Sequence, residues 1–312
     1  MGMNRHFGYG TENLDLLKAV GLAEGKIKGI FSEEALRNIR NSQEQVSLIV
    51  SQNKTVYGIN TGFGVLANTK ISAEDTRILQ QKILQSHSVG VGKPIDPFLA
   101  RLMMITKVHA LAKGFSGIHP DTLQRIIWHI ENNIIPLVPE KGSVGASGDL
   151  APLAHLFLPL IGLGEVFVDE KPVPSSVVLN QHGLKPLQLG PKEGLALING
   201  TQFILAYAIA NTLRLHYCLE AADIIGAMSL EALTGTKAPF DERLHQLRPF
   251  KGNQLVARRL RILLNNSEIM QSHVDCGRVQ DPYSLRCMPQ VHGASRHAWV
   301  HLRELTETEL NS

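Results

Sequence analysis

The amino-acid sequence predicts a mainly α-helical chain built on long helices, with one small β-containing region. Three observations carry that expectation. From about Asn199 to Leu233 the chain reads NGTQFILAYAIANTLRLHYCLEAADIIGAMSLEAL, with hardly a helix breaker and few charges around the circumference. Such a helix is buried inside a bundle or against neighbouring subunits. Elsewhere, capping residues repeatedly precede apolar positions at helical spacing. Between Pro136 and Gly190, recurring prolines and Val166-Phe167-Val168 suggest a small strand or hairpin region.

Taken in order, Ser32 with Glu33 and Glu34 opens a helix whose stripe is Leu36, Ile39, Val46 and Ile49. Ser72 caps a second, with Asp75 completing a capping box and Ile78, Leu79, Ile83 and Leu84 on its apolar face. Asp96-Pro97 starts a third, which runs through Leu99, Leu102, Met103, Ile105 and Val108 until Gly114 stops it. A fourth spans Asp121 to Asn132. Pro136 and Pro139 force extended chain into a glycine-rich loop. Leu150–Leu163 then reads as a buried apolar helix, and Val166-Phe167-Val168 as a strand or hairpin. A last long helix runs from about Pro289 straight into Ser312, so the chain is expected to lack a C-terminal segment.

Composition narrows the function class. The 312 residues are 44% hydrophobic, 19% charged and 5% aromatic, with a net charge of +3. That charge is too small and dispersed to argue for nucleic acid or a membrane surface. No eighteen-residue apolar run is seen, so no membrane span is expected, and the N-terminal stretch has no signal core, so a cytoplasmic protein is expected. Cys218, Cys276 and Cys287 lack CxxC spacing and read as reduced thiols. None of the 13 histidines falls in HExxH or at zinc-finger spacing, so no metal is expected.

The loop itself is GSVGASGDLAP, residues 142–152. A flexible hinge does not suit its rigid apolar flanks. A nucleophile elbow needs a residue between the serine and the following glycine, and Gly148 follows Ser147 directly. A phosphate loop would show GxxxxGK[ST], or GxGxxG opening a βαβ unit, and neither is present, so no nucleotide is expected. A fourth reading is chemical. Ala146 is small and Gly148 has no side chain, so the backbone can bend until the Gly148 nitrogen reaches the Ala146 carbonyl carbon. Ring closure and loss of the Ser147 hydroxyl would leave an exocyclic methylene, with Asp149 beside it as acid or base.

That triplet, together with YGINTGFG (57–64), LQSHSVGVG (84–92), KGFSGI (113–118), GSVGASGDLAPLAH (142–155), KEGLALINGTQ (192–202) and VQDPYSLRCMPQ (279–290), resembles the histidine ammonia-lyase family. The blocks stand in the family's order along nearly the whole chain. The resemblance implies a long-helix bundle of the fumarase/aspartase-like type, truncated at its C-terminus. It also implies an N-terminal helical domain over 1–115 carrying a tyrosine loop, and a central bundle domain over 116–312. The cofactor implied is 4-methylidene-imidazol-5-one (MIO), formed autocatalytically from Ala146, Ser147 and Gly148.

The implied reaction removes ammonia from an α-amino acid across Cα–Cβ, with histidine giving trans-urocanate. An electrophile answers the poor amine leaving group, and a positioned base answers the weakly acidic β-proton. Tyr57 matches the family's base, and Arg286 the residue that clamps the substrate carboxylate, where a bidentate guanidinium suits better than lysine. Asn199, Gln280 and Tyr283 match polar residues around the cofactor and substrate; Asn199 also reads as a cap at the head of the long helix. Asp149 is assigned to cofactor maturation. The pair Ser86-His87 goes with histidine as substrate, because an imidazole can pair with an imidazole while a benzene ring would leave it unpaired. The family assembles as a homotetramer. An MIO-dependent tyrosine or phenylalanine ammonia-lyase or aminomutase is the alternative enzyme, and a catalytically silent truncated homologue the alternative outside catalysis.

Overall fold

The computed structural model describes residues 6–52, 54–62, 71 and 73–312. Ser72, and with it the capping box expected with Asp75, lies outside the described residues, as do Phe63 and Gly64 of the tyrosine-bearing block. The chain divides into two compact units, Met1–Ala208 with Glu307–Ser312, and Ile209–Thr306. The boundary expected at 115/116 falls inside the first.

The first unit begins with a parallel strand pair, β1 (His6–Tyr9) and β2 (Lys28–Phe31), joined through α1 (Leu16–Ala23). Phe7 and Tyr9 are fully buried there, and Gly29 leaves room for the Tyr9 ring, which a Cβ would approach to 2.1 Å. Sequence reading missed this pair, whose strands are only four residues long. Next, α2 (Glu33–Ser51) is capped as expected, Ser32 Oγ accepting the Ala35 amide at 3.1 Å. After α3 (Ala73–His87) and β3 (Val91–Pro94) comes α4 (Pro97–Ala112), opened by Asp96, which accepts the Phe98 amide at 2.9 Å. This helix is buried nearly all round. The following α5 (Pro120–Glu131) starts at Pro120 rather than Asp121, because the His119 ring takes the capping place and accepts the Asp121 amide at 3.2 Å.

Beyond it, β4 (Ile135–Pro136) joins the sheet, and β5 (Pro139–Lys141) pairs antiparallel with β3. The apolar helix α6 (Leu150–Phe157) is shorter than expected. Its last turn, Leu158–Ile161, tightens to a 3-10 geometry where Pro159 offers no amide, and Gly162 ends it in the left-handed region. The expected hairpin is present: β6 (Glu165–Val168) and β7 (Lys171–Pro174) complete a β4-β6-β7 sheet, turning through Asp169 and Glu170 at φ +49° and +64°. Two short helices, α7 (Ser175–Gln181) and α8 (Glu193–Ile198), precede the long α9 (Gln202–Ala232).

In its second-unit part, α9 is not enclosed by this chain over its whole circumference: Tyr217, Ile225 and Met228 are 68%, 60% and 64% exposed. By length and composition the stretch Glu193–Ala232 holds a window apolar enough to cross a membrane, which corrects the sequence expectation, and half of that window is packed inside the chain, as in a core helix. The second unit continues with α10 (Glu242–Leu247), α11 (Lys251–Leu263), α12 (Glu268–Ser272), α13 (Tyr283–Arg286) and α14 (Met288–Leu310). Leu230, Phe240, Val256, Ala257 and Leu260 form its dry core. Beside that core, the fully buried Asp223 carboxylate accepts from Arg259 Nε at 2.7 Å, Arg296 Nη2 at 2.5 Å and His292 Nδ1 at 2.9 Å. Buried carboxylates persist only when paired in this way.

Candidate active site

Around the triplet the backbone doubles back on itself. Gly142, Gly145 and Gly148 all have positive φ, at +144°, +71° and +78°, a region that residues with a Cβ seldom enter. Isolated bridge pairs join Gly145 to Gly148 and Ala146 to Gly148. Gly148 is also a close approach: a Cβ there would lie 2.3 Å from the carbonyl oxygen of Gly200. The next amide, Asp149 N–H, donates to that same oxygen at 2.7 Å. The triplet is therefore seated on the Asn199–Gly200 turn by backbone contacts. Ala146 and Ser147 face outward and are exposed.

Asp149 is fully buried and hydrogen-bonded through both oxygens. Oδ1 accepts from Ser143 Oγ at 2.6 Å, and Oδ2 accepts the Ile204 amide at 3.0 Å. Ile204 lies in the first turn of α9, where unsatisfied amides favour a negative charge. One carboxylate thus ties the glycine loop, the start of α6 and the start of α9 together. Asn199 is not the cap of the long helix. It is exposed at the C-terminal end of α8, with φ −87° and ψ 115°, and the turn through Gly200 separates it from α9. Its carbonyl accepts from Lys107 Nζ at 2.7 Å.

His87 ends α3, three residues before Gly90. Its Nδ1 lies 2.9 Å from the Ile83 carbonyl and 3.1 Å from Ser86 Oγ; in the neutral tautomer that donates to Ile83, Nε2 is the acceptor. The segment after it is held against the triplet's approach strand: Val91 pairs with Lys141, and the Gly90 amide donates to His155 Nε2 at 3.0 Å. Tyr57 sits 54% exposed in a turn that its own block secures. Asn60 accepts the Val56 amide at 2.9 Å and donates to Lys54 O at 2.7 Å, while Thr61 Oγ1 accepts the Gly58 amide at 3.2 Å.

The remaining expected residues belong to the second unit. The Arg286 guanidinium stacks over the Tyr283 ring at 4.2 Å, and its Nε is buried without a hydrogen-bond partner among the described residues. Gln280 and Arg286 line a cavity of about 520 Å³, with Arg248, Asn253 and Gln290 also on its wall. Tyr283 is 72% exposed. A stacked guanidinium with unused donors suits a planar carboxylate.

The first unit thus gathers the triplet, Asp149, Asn199 and the His87 segment, and carries Tyr57 in its own turn; the second carries Gln280, Tyr283 and Arg286. Sequence reading missed Lys107, Ser143, Gly200 and His155. The one legible signal was a lysine inside the apolar run of residues 102–112.

The aromatic amino acid lyase family model matches residues 14–312. Histidine ammonia-lyase of Myxococcus xanthus is 44% identical over 301 residues, covering 96% of this chain and 59% of that protein. Among solved structures, histidine ammonia-lyase from Trypanosoma cruzi superimposes with a TM-score of 0.87 at 38% identity, over 98% of this chain and 57% of the other. Tyrosine aminomutase from Streptomyces globisporus gives 0.88 at 33% identity, over 96% and 60%. The long-helix fold expected from the sequence is the fold of these enzymes. The chain spans about half to three-fifths of the length of the curated relatives it matches.

Proposed function

The chain belongs to the aromatic amino acid lyase family, and from that we propose that it carries the cofactor-forming part of a histidine ammonia-lyase. The reaction is the non-oxidative conversion of L-histidine to trans-urocanate and ammonia. The observation that carries this reading is the bend at 146–148, where Gly148 at φ +78° is seated on Gly200 and bridges back to Ala146. Such a backbone fits closure to 4-methylidene-imidazol-5-one. The Gly148 nitrogen bonds to the Ala146 carbonyl carbon, whose oxygen leaves as water with the two amide protons of Gly148 and Ser147. The Ser147 hydroxyl leaves as a second water with its α-proton.

Once formed, that group supplies an electrophilic methylene. The chain's own residues supply the rest. Asp149, held by Ser143 and Ile204, stands next to the triplet to handle the protons of closure. Tyr57 takes the β-proton of the substrate, and Arg286, stacked on Tyr283, grips its carboxylate. Asn199 and Gln280 orient the amino acid by hydrogen bonds. His87 presents a lone pair at Nε2 to an N–H of the substrate ring, a contact that a phenyl ring cannot make. A homotetramer in the cytoplasm, with MIO as its sole cofactor, completes the proposal.

An MIO-dependent tyrosine aminomutase is the second reading, favoured by the likeness to the Streptomyces enzyme. Intact mass spectrometry tests the common premise. The wild-type chain is expected to be lighter than its sequence by two waters, located in the peptide that holds residues 146–148. Ser147→Ala is expected to lose the second elimination. An undehydrated wild-type chain would end the reading, and turnover of tyrosine but not histidine would turn it to the second.

A further inference from the structure

Lys107 is the most incongruous charge in the first unit. It sits in α4 among Met103, Met104, Ile105 and Val108, and is only 2% exposed. A lysine ammonium has three donors, yet the Asn199 carbonyl, at 2.7 Å, is its one acceptor among the described residues. Burial pushes its pKa down to about 7. If the position served packing alone, methionine would fill it with similar volume and no desolvation, as it does at 103 and 104. What lysine adds is the donor to Asn199.

That donor controls the seat of the triplet. Asn199 is followed by Gly200, whose φ of +158° leaves the turn few restraints of its own. The Gly200 oxygen receives the Asp149 amide, and Gly148 packs against the same peptide. Ring closure needs the Gly148 nitrogen aimed at Ala146, so the peptide on its C-terminal side must be fixed. The geometry points to Lys107 as a positioning residue for ring closure at Ala146-Ser147-Gly148, acting through the Asn199–Gly200 turn. The inference rests on the function proposed above, and extends it to a residue outside the matched blocks.

The test uses the whole chain in three forms: wild type, Lys107→Met and Lys107→Arg. Two quantities are followed, the rate of water loss by intact mass and the amide exchange of residues 143–150 and 199–204. Lys107→Met is expected to slow dehydration and speed exchange in these segments by about tenfold each, the loss expected for one hydrogen bond to a charged group. Lys107→Arg, which restores a donor, is expected to recover much of both. A purely structural lysine would lower the melting temperature while leaving both rates at the wild-type level, and that result overturns the inference. Should Lys107→Met fail to fold, Lys107→Gln replaces it, being one bond too short to reach the Asn199 carbonyl, with the same losses expected. If wild type itself is not dehydrated, the proposed function falls. The exchange comparison then still decides whether Lys107 holds the turn.

Discussion

The Gly90 amide donates to Nε2 of His155 at 3.0 Å, joining two stretches 65 residues apart. His155 belongs to the helix that begins just after the triplet, and Gly90 to the segment that follows His87. The imidazole accepts this bond only when Nε2 is unprotonated, and burial lowers its pKa in that direction. It therefore ties the segment after His87 to the helix that follows the triplet.

Replacing His155 by phenylalanine keeps the ring and removes the acceptor. We expect a loss of about 1 kcal/mol, the usual worth of one hydrogen bond. Exchange of the Gly90 amide, followed by NMR, should quicken while distant amides keep their protection. Unaltered exchange at Gly90 would show that the bond holds nothing.

Two glycines of the loop separate backbone strain from steric fit. Gly145 and Gly148 share a left-handed φ, +71° and +78°, but a Cβ at Gly145 meets nothing within 4 Å, whereas one at Gly148 would lie 2.3 Å from the Gly200 oxygen. Gly145→Ala should cost about 1–2 kcal/mol from conformation alone. Gly148→Ala should cost clearly more, because backbone must move, and should also block water loss at the triplet. Denaturant unfolding of both variants checks this. Equal costs would mean that the seat on Gly200 is not tight.

The long helices were legible because their signals are local. Ser32 and Asp96-Pro97 sit one residue from the turns they cap, and the apolar run into Leu233 needs no partner to be recognised. Pro159 was equally local and still overlooked, so α6 was drawn too long. The triplet and Asp149 were singled out from their chemistry, and the structure shows the bend and the buried carboxylate there. Asn199 was misplaced because the break before α9 depends on Gly200, which reads as an ordinary residue until Gly148 and Asp149 are seen packed on it. His155 was invisible for the same reason, and Lys107, though it stood out in an apolar run, could not be given a role: their partners lie 65 and 92 residues away. The short helices α10, α12 and α13 carry too few periodic positions to stand out, whereas α11, with Val256, Ala257 and Leu260 on its buried face, was simply overlooked.

Acid should weaken the first unit through two buried histidines. His129 donates from Nδ1 to Ile134 O at 3.1 Å, which leaves Nε2 buried without a partner; a second proton would add a donor with nothing to receive it. His109 accepts the Gly10 amide at Nδ1 at 3.2 Å, so protonation there removes a bond. Burial pushes both from 6.5 to about 4, with the Lys113 charge adding to the effect at His109. The unfolded chain then binds more protons than the native one between these values. The stability these rings contribute is complete above pH 6.5 and is lost as pH falls towards 4. Denaturation followed across that range should show a slope approaching two protons taken up on unfolding. The double variant His109→Gln, His129→Gln should have lower stability at neutral pH but a shallower slope. The same slope in both proteins would place the acid sensitivity elsewhere.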